Sequence, residues 1–221
     1  NERISKRIIT GFILLFLLIL GFYYSYILII LLFLLSIIAW VEFYGLINKI
    51  YKENNLLKLF FNTSSLLYIF LFSTLIFYEM TQIGLNYKFN VIYLFIICIC
   101  SDIGGFIFGK IFKGKKLTKI SPNKTISGSL GSFILSIIII PVFYKISPNI
   151  SQNIYELIII TIFVSFSCQL GDLFFSYIKR KAKVKDTGNI LPGHGGILDR
   201  IDGMLLAIPA GIMLWKFILI V

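Results

Sequence analysis

Charge is scarce in this chain. Only 14% of its 221 residues are charged, whereas 58% are hydrophobic. A soluble domain typically carries about 25% charged residues, and one core of this size could not bury so much apolar surface. The composition therefore excludes a nucleic-acid-binding module and a disordered chain. It leaves an integral membrane protein, with lipid around most of its side chains.

Cysteine and histidine are rarer still, with three cysteines and one histidine. Cys98, Cys100 and Cys168 all stand in apolar runs, and the single histidine is His194. Cys98 and Cys100 would point to nearly opposite sides of a helix, so they suit neither a metal pair nor a disulfide framework. This scarcity excludes a secreted disulfide scaffold and argues against a zinc site.

Apolar runs of membrane-spanning length are what the sequence has in abundance. Crossing a bilayer core of about 30 Å takes about 20 helical residues. We therefore expect an all-α polytopic membrane protein with about seven transmembrane helices, forming a single integral membrane domain. The predicted spans are Ile8–Tyr24, Tyr26–Val41, Leu59–Tyr78, Val91–Phe108, Ile126–Tyr144, Leu157–Tyr177 and Ile201–Val221.

The basic residues predict how these spans are oriented. If the N-terminus is cytoplasmic, 18 of the 21 basic residues fall on the cytoplasmic side. The positive-inside rule then favours seven spans with a cytoplasmic N-terminus. Three spans fall in residues 1–90 and four in residues 91–221. The long polar loops Gly109–Thr125 and Lys179–Arg200 lie on the cytoplasmic side, where we expect the chemistry.

The acids separate into two groups. The five glutamates are interpreted as solvated span ends and loops, namely Glu2, Glu42, Glu53, Glu79 and Glu156. Asp102 and Asp172 instead lie inside apolar spans, where an ionised carboxylate costs at least about 2.5–3.5 kcal/mol. A buried partner for a lysine is one explanation, and a functional site is the other.

Position along the spans favours the functional explanation. Asp102 and Asp172 both lie roughly 10–12 Å inside the cytoplasmic basic residues. Asp199 and Asp202 open the last span at i and i+3, on one helix face. We expect these four carboxylates to border one polar cavity at the cytoplasmic side. Their all-oxygen chemistry favours Mg²⁺ over zinc. The neighbouring Gly104-Gly105 fits either a crowded site or helix packing.

The strongest pattern is the stretch from Ser176 to Asp202. It joins clustered lysines and arginines to a loop rich in glycine, and then to Asp199-Arg200-Ile-Asp202. Clustered cations hold phosphates, and the N–H groups of a helix start favour anions. Together with metal-binding carboxylates, these features indicate phosphoryl or nucleotidyl transfer.

This stretch resembles the signature of the phosphatidate cytidylyltransferase family, also called CDP-diacylglycerol synthases. The resemblance rests on Ser176, Lys179-Arg180, Lys185-Asp186, Pro192-Gly-His194-Gly-Gly and Asp199-Arg-Ile-Asp202. Four other blocks also look like the family: Ser101-Asp102 to Gly109-Lys110, Ser121 to Gly128, Arg7-Ile-Ile-Thr-Gly11 and Trp40-Val-Glu42-Phe-Tyr44. The chain departs from many members at Ile103, Ile126 and Ser127.

The resemblance implies that CTP and phosphatidic acid give CDP-diacylglycerol and pyrophosphate in phospholipid biosynthesis. It implies catalytic roles for Asp172, Asp199, Asp202, Lys179, Arg180, Lys185 and Arg200. It implies substrate contacts at Asp102, Lys124, Ser127, Ser176, Asp186, His194 and Gly195. Mg²⁺ would be held by Asp172, Asp199 and Asp202, with a second cation left open.

The implied partners are CTP, phosphatidic acid and membrane lipid, with no nucleic acid; a homodimer is left open. A CTP-dependent lipid kinase is one alternative, and it would yield CDP instead of pyrophosphate. An ion-coupled transporter is another, but it calls for polar residues through both leaflets. The ionisable residues of this chain cluster on one side instead.

Overall fold

Helices of membrane-spanning length make up most of the structure. It is a computed structural model that describes residue 16 and residues 19–21, 23–82, 85–146, 153–188, 190 and 195–220. These residues contain no β-strand. The helices are α1 Ser25–Ile50, α2 Asn55–Thr81, α3 Leu85–Phe112, α4 Ile126–Ile138, α5 Ile140–Ile146, α6 Ile154–Lys181 and α7 Leu198–Ile220.

Within the described residues, six stretches are long and apolar enough to cross a membrane. They are Tyr26–Ile50, Asn55–Thr81, Tyr87–Phe112, Ile126–Ile146, Ile154–Lys181 and Leu198–Ile218. Six of the seven predicted spans are thereby confirmed as helices. The remaining one, Ile8–Tyr24, lies mainly outside the described residues. The total of seven spans, the cytoplasmic N-terminus and the polar cavity stay predictions.

The helix ends follow from local chemistry. Asn54 caps α2 by accepting a hydrogen bond from the backbone N–H of Leu57 at 3.0 Å. Thr125 caps α4 in the same way, through the N–H of Gly128 at 3.1 Å. Such caps satisfy donors that a helix start leaves without a partner. Pro141, which has no backbone N–H, stands where α4 gives way to the short α5.

The chain divides into two compact units. The first comprises the described residues up to Gln82 together with Ile178–Ile201. The second comprises the described residues of Ile83–Tyr177 and Asp202–Val221. The predicted division of a single domain into residues 1–90 and 91–221 stays a prediction. The sequence did not indicate that residues 178–201 group with the N-terminal helices.

In the first unit, α1 and α2 form an antiparallel pair. The hydroxyls of Ser36 and Ser73 lie 2.5 Å apart, and the Trp40 indole donates to the carbonyl of Asn62 at 3.1 Å. Most of the remaining contact surface is apolar. The helix α1 continues nine residues beyond the predicted end at Val41, which places Glu42 inside a helix rather than at its end.

In the second unit, hydroxyl pairs join α3 to α6. Tyr93 lies 2.5 Å from Thr161, and Ser101 lies 3.0 Å from Ser165. The residue numbers rise together along both helices, so α3 and α6 run parallel. This arrangement places the C-terminal parts of both helices, which carry Asp102 and Asp172, on the same side of the unit.

Glycines let α3 and α4 approach closely. A Cβ on Gly104 would lie 2.9 Å from the backbone carbon of Gly131, and a Cβ on Gly128 would lie 2.7 Å from the carbonyl oxygen of Gly105. Real Cβ atoms do not tolerate such distances. The packing explanation of Gly104-Gly105 is therefore confirmed. The close approach of α3 and α4 also lets the Ser132 hydroxyl donate to the carbonyl of Ser101 at 2.7 Å.

Candidate functional site

In the first unit, an ion pair closes the loop that carries most of the signature. Lys179 lies in the last turn of α6 and Asp199 in the first turn of α7. The Lys179 ammonium lies 2.7 Å from Asp199 Oδ1, and the two side chains are only 14% and 6% exposed. Removing either charge would be strongly destabilising, because the other would stay buried without this counter-charge.

The second oxygen of Asp199 organises the loop itself. Asp199 Oδ2 accepts hydrogen bonds from the backbone N–H of Thr187 at 2.8 Å, from the Thr187 hydroxyl at 3.0 Å and from the N–H of Gly196 at 3.1 Å. Both carboxylate oxygens therefore have protein donors. In this arrangement Asp199 ties the two ends of the loop to the start of α7.

Glu42 of α1 reaches the same loop. Its carboxylate accepts from the backbone N–H groups of Ile197 at 3.1 Å and Leu198 at 2.8 Å, and from the Thr187 hydroxyl at 2.8 Å. The interpretation of Glu42 as a solvated span end is wrong, because the residue is only 5% exposed. Glu79, which is 6% exposed, was misplaced in the same way.

Glu42 is the functional candidate that sequence reasoning missed. The expected anion at the start of α7 was a substrate phosphate, but the N–H groups of Ile197 and Leu198 are directed at Glu42. Two signals pointed to it. Glu42 interrupts a long apolar run, and it stands in the Trp40–Tyr44 block that resembles the family.

In the second unit, a lysine and an aspartate from distant parts of the chain form a pair. The Lys124 ammonium lies 2.5 Å from Asp172 Oδ2, with side chains 30% and 21% exposed. The alternative explanation of Asp172 as a partner for a lysine is thereby confirmed. This pairing does not exclude a functional role, because both side chains are partly exposed and a ligand in the solvent could reach them.

A small hairpin fixes Lys124 in place. Lys116 and Thr125 form an antiparallel bridge, and the N–H of Leu117 donates to the carbonyl of Lys124 at 2.8 Å. The Ser127 hydroxyl donates to the carbonyl of Lys113, where the backbone turns through a positive φ of 50°. These bonds hold the loop against the start of α4, so Lys124 extends from a rigid base.

Close backbone contacts bring Asp172 and Asp202 together. A Cβ on Gly171 would lie 2.8 Å from the carbonyl oxygen of Asp202. A Cβ on Gly203 would lie 2.6 Å from Cys168 Sγ and 3.1 Å from Asp172 Oδ1. These two glycines allow α6 and α7 to touch where their aspartates stand.

Asp102 borders the same place. The Cys168 thiol lies 3.8 Å from Asp102 Oδ1, and Asp172 follows Cys168 by one helical turn, about 6 Å along the axis. Asp102, Asp172 and Asp202 are therefore neighbours in the second unit. The prediction that all four aspartates border one cavity stays a prediction, because Asp199 belongs to the first unit.

The remaining predicted site residues differ in exposure. Ser176 is half-buried near the end of α6, as is Ser127 at the start of α4. Gly195 has a φ of 84°, and a Cβ there would lie 3.2 Å from Asp199 Oδ2, so only glycine suits the position. His194 lies outside the described residues. The others are exposed, namely Arg180, Lys185, Asp186 and Arg200.

Carboxylates are grouped in this structure without forming a finished metal cage. In the described part of the chain, no three side chains of histidine, cysteine, aspartate or glutamate are arranged to hold a metal ion. This observation does not test the predicted Mg²⁺ site of Asp172, Asp199 and Asp202, because a nucleotide-bound metal takes part of its ligands from phosphate.

Comparison with known proteins assigns the family. The sequence model of the cytidylyltransferase family matches residues 2–218. The chain belongs to the cytidylyltransferase family. The match includes the helices before residue 90, where the sequence resemblance had rested on little more than hydrophobicity, and it therefore includes Glu42. Six membrane-length helices and this membership make the protein an integral, multi-pass membrane protein.

Individual relatives of this chain carry a more specific name. The chain is 43% identical over 134 residues to the phosphatidate cytidylyltransferases of Staphylococcus epidermidis and Staphylococcus haemolyticus. It is 42% identical over the same length to that of Staphylococcus aureus. Each alignment covers 60% of this chain and 50% of the relative. The chain thus spans about half the length of the curated relatives it matches, and the resemblance read from the signature is confirmed.

Proposed function

We propose that this cytidylyltransferase joins CTP to phosphatidic acid, forming CDP-diacylglycerol and pyrophosphate. One observation carries the proposal: both units place a lysine against an aspartate at the polar end of an apolar helix. This arrangement suits a reaction between phosphates of a soluble nucleotide and a lipid that remains in the bilayer. The name of the staphylococcal relatives supports the same reaction.

The chemistry needs charge neutralisation more than it needs a base. An oxygen of the phosphatidate phosphate attacks the α-phosphorus of CTP in line, and the bond from that phosphorus to the β-phosphate oxygen breaks. Pyrophosphate leaves with that electron pair. The attacking oxygen is already ionised, so no side chain has to remove a proton. The barrier comes from bringing two anions together.

The basic residues have that task in the proposed mechanism. Lys124 and Lys179 extend from rigid elements and already face carboxylates, so a phosphate that replaces a carboxylate finds its cation in place. Three exposed basic residues are assigned to the outer phosphates: Arg180, Lys185 and Arg200. Substrate contacts are assigned to Asp102, Ser127, Ser176, Asp186, His194 and Gly195.

The carboxylates of the second unit fit Mg²⁺. Mg²⁺ in nucleotide enzymes is usually held by one or two carboxylates together with substrate phosphates, and seldom by a cage made only of protein. Asp172 and Asp202, adjacent across the Gly171–Gly203 contact, supply such a pair of hard oxygen ligands. The ion would stabilise charge on the pyrophosphate as it leaves. Asp199 as a third ligand, and a second cation, stay predictions.

Orientation follows from charge. We propose that the active site faces the cytoplasm, because the loops that carry Lys124 and Lys179 hold most of the basic residues. The acyl chains of phosphatidic acid would remain in the lipid beside the apolar helices while the headgroup reaches the polar residues. CTP would enter from the aqueous side.

A product assay tests the proposal. Purified protein in mixed micelles receives phosphatidic acid, Mg²⁺ and CTP labelled in the cytosine ring. We expect label in chloroform-soluble lipid and one pyrophosphate released for each lipid formed. Release of CDP with diacylglycerol as acceptor would identify a CTP-dependent lipid kinase instead. Absence of both products, with ion movement into vesicles, would favour the transporter.

A further inference from the structure

We propose that Glu42 is a positioning residue of the nucleotidyl-transfer site, acting through the loop that joins α6 to α7. The inference rests on the proposed function for its catalytic consequence. Its structural basis is a contact between α1 and the signature loop, spanning 145 residues of sequence between Glu42 and Thr187. Both partners belong to the first unit.

The carboxylate is buried at a cost that its donors offset. Removing an ionised carboxylate from water is unfavourable unless hydrogen bonds replace the lost solvent. Glu42, only 5% exposed, receives the N–H groups of Ile197 and Leu198 at the start of α7. A helix N-terminus carries partial positive charge, which stabilises an anion there. Glu42 thus caps α7 from a different helix.

The loop glycines are shaped around this carboxylate. A Cβ on Gly188 would lie 2.5 Å from Glu42 Oε1, and a Cβ on Gly196 would lie 2.8 Å from Glu42 Cδ. Any side chain at either position would therefore displace the Glu42 carboxylate. This cradle explains two glycines of the signature that the phosphate-binding hypothesis left without a specific role.

Thr187 links Glu42 to the ion pair. Its hydroxyl lies 2.8 Å from Glu42 Oε2 and 3.0 Å from Asp199 Oδ2, while its backbone N–H donates to Asp199. One hydroxyl proton serves a single acceptor at a time, so Thr187 is held between two carboxylates. A change at Glu42 therefore shifts Thr187, and with it the Asp199 that holds Lys179.

The test compares Glu42→Gln and Glu42→Asp with the wild type and with Glu53→Gln. Glu53 is an exposed glutamate in the turn between α1 and α2, so its variant controls for the loss of one negative charge. Two quantities are measured for each protein: hydrogen–deuterium exchange of the amides at residues 186–199, and kcat with the KM for CTP, per folded molecule. Gly188→Ala, which fills the cradle, is a second route to the same defect.

We expect Glu42→Gln to speed exchange at residues 196–198 by about tenfold or more, since an uncharged acceptor holds the helix start less well. We expect kcat to fall about 10–100-fold with the KM for CTP within about threefold, because a displacement near 1 Å costs about that much in rate. Glu42→Asp should recover part of the rate, Gly188→Ala should resemble Glu42→Gln, and Glu53→Gln should behave as wild type.

Faster exchange with an unchanged kcat would overturn the positioning role and leave Glu42 as a structural cap. Unchanged exchange in both Glu42→Gln and Gly188→Ala would show that the Glu42 carboxylate does not hold the loop in place. A wild type that exchanges normally but makes no CDP-lipid would overturn the proposed function, and with it the catalytic consequence. In that case the difference in exchange between the wild type and Glu42→Gln still decides whether Glu42 holds the loop in place.

Discussion

Lys124 and Asp172 are 48 residues apart in the chain and meet at 2.5 Å between Nζ and Oδ2. The lysine stands on a hairpin before α4, and the aspartate stands in the apolar helix α6. The pairing accounts for both positions, because a half-buried carboxylate needs a counter-charge and the fixed ammonium of Lys124 supplies it. In the proposed mechanism, Asp172 would hold the metal and Lys124 would bind the nucleotide phosphate.

Replacing Lys124 should therefore reduce turnover even when the charge is kept. Lys124→Arg brings a planar, wider group to a place that fits a compact ammonium at 2.5 Å. We expect kcat/KM for CTP to fall about tenfold in Lys124→Arg and about 100-fold in Lys124→Gln, measured by the CDP-lipid assay.

The matched control is Lys119→Gln, an exposed lysine of the same loop. It should keep wild-type kinetics, since it shares only the anchoring charge. If Lys124→Arg and Lys124→Gln both leave kcat and the KM for CTP unchanged, Lys124 is only a positive-inside anchor.

The two aspartates at the start of α7 should respond differently to loss of charge. Asp202→Asn should abolish turnover while the protein still inserts and folds, because the amide keeps the size of the side chain and loses its affinity for the cation. Asp199→Asn should also abolish turnover, but it leaves the Lys179 ammonium buried without this counter-charge. That loss costs about 3 kcal/mol, which corresponds to a Tm lower by roughly 6–12 °C.

Thermal unfolding in detergent, measured beside the activity, separates the two variants. Near-normal activity in Asp202→Asn at ordinary Mg²⁺ would show that Asp202 is not a metal ligand. Equal Tm values for Asp199→Asn and the wild type would contradict the structural part of the prediction.

A methyl group at Gly104 should disrupt the α3–α4 contact. The added Cβ would overlap the carbonyl oxygen of Gly131 and lie 2.9 Å from its carbonyl carbon, and backbone cannot move aside as a flexible side chain can. We expect Gly104→Ala to lower the Tm by several degrees and to reduce turnover through the displaced α4, which begins beside Lys124.

Gly45→Ala is the control for a glycine inside a helix. Nothing lies within 4 Å of a Cβ at Gly45, so the change should stabilise α1 by about 0.5–1 kcal/mol through its helix propensity. A Gly104→Ala variant as stable as Gly45→Ala would contradict the close packing.

Chelation should stop the reaction without unfolding the protein. Because Mg²⁺ in nucleotide enzymes is held largely by substrate phosphates, with one or two carboxylates such as Asp172 and Asp202, most of its affinity should come from the nucleotide. We expect EDTA to abolish CDP-lipid synthesis, Mg²⁺ to restore it, and the Tm of the protein without CTP to stay within about 1 °C. A large fall in Tm on chelation would indicate a structural metal instead.

The sequence by itself located the six membrane-length helices of the described residues. A bilayer admits only helices whose backbone polar groups are satisfied internally, so about 20 apolar residues are enough to place each one. The run that became α1 was predicted to end at Val41 and in fact continues to Ile50, because Glu42 ends the apolar pattern but not the helix. Local composition predicts which segments lipid surrounds, whereas only tertiary contacts show where a charged residue is buried.

The candidate site was predicted in part. Asp102 and Asp172 were identified by the cost of an ionised carboxylate in an apolar run, a property of each residue and its neighbours in sequence. Their partners were not identified. From the sequence, Lys124 could equally be a positive-inside anchor or the ion-pair partner of an aspartate, and only the position of α6 beside its hairpin distinguishes the two. The neighbourhood of Asp172 and Asp202 likewise depends on the Gly171–Gly203 contact.

Glu42 marks the limit of sequence reasoning in this protein. A single glutamate in an apolar helix is compatible with a solvated end, an ion pair or a cap, and nothing within its own helix distinguishes them. The tertiary structure decided for the cap, since folding brings the N–H groups of Ile197 and Leu198 and the hydroxyl of Thr187 to one carboxylate. Burial of a charge is settled by the donors that surround it, and those come from residues more than 140 positions away.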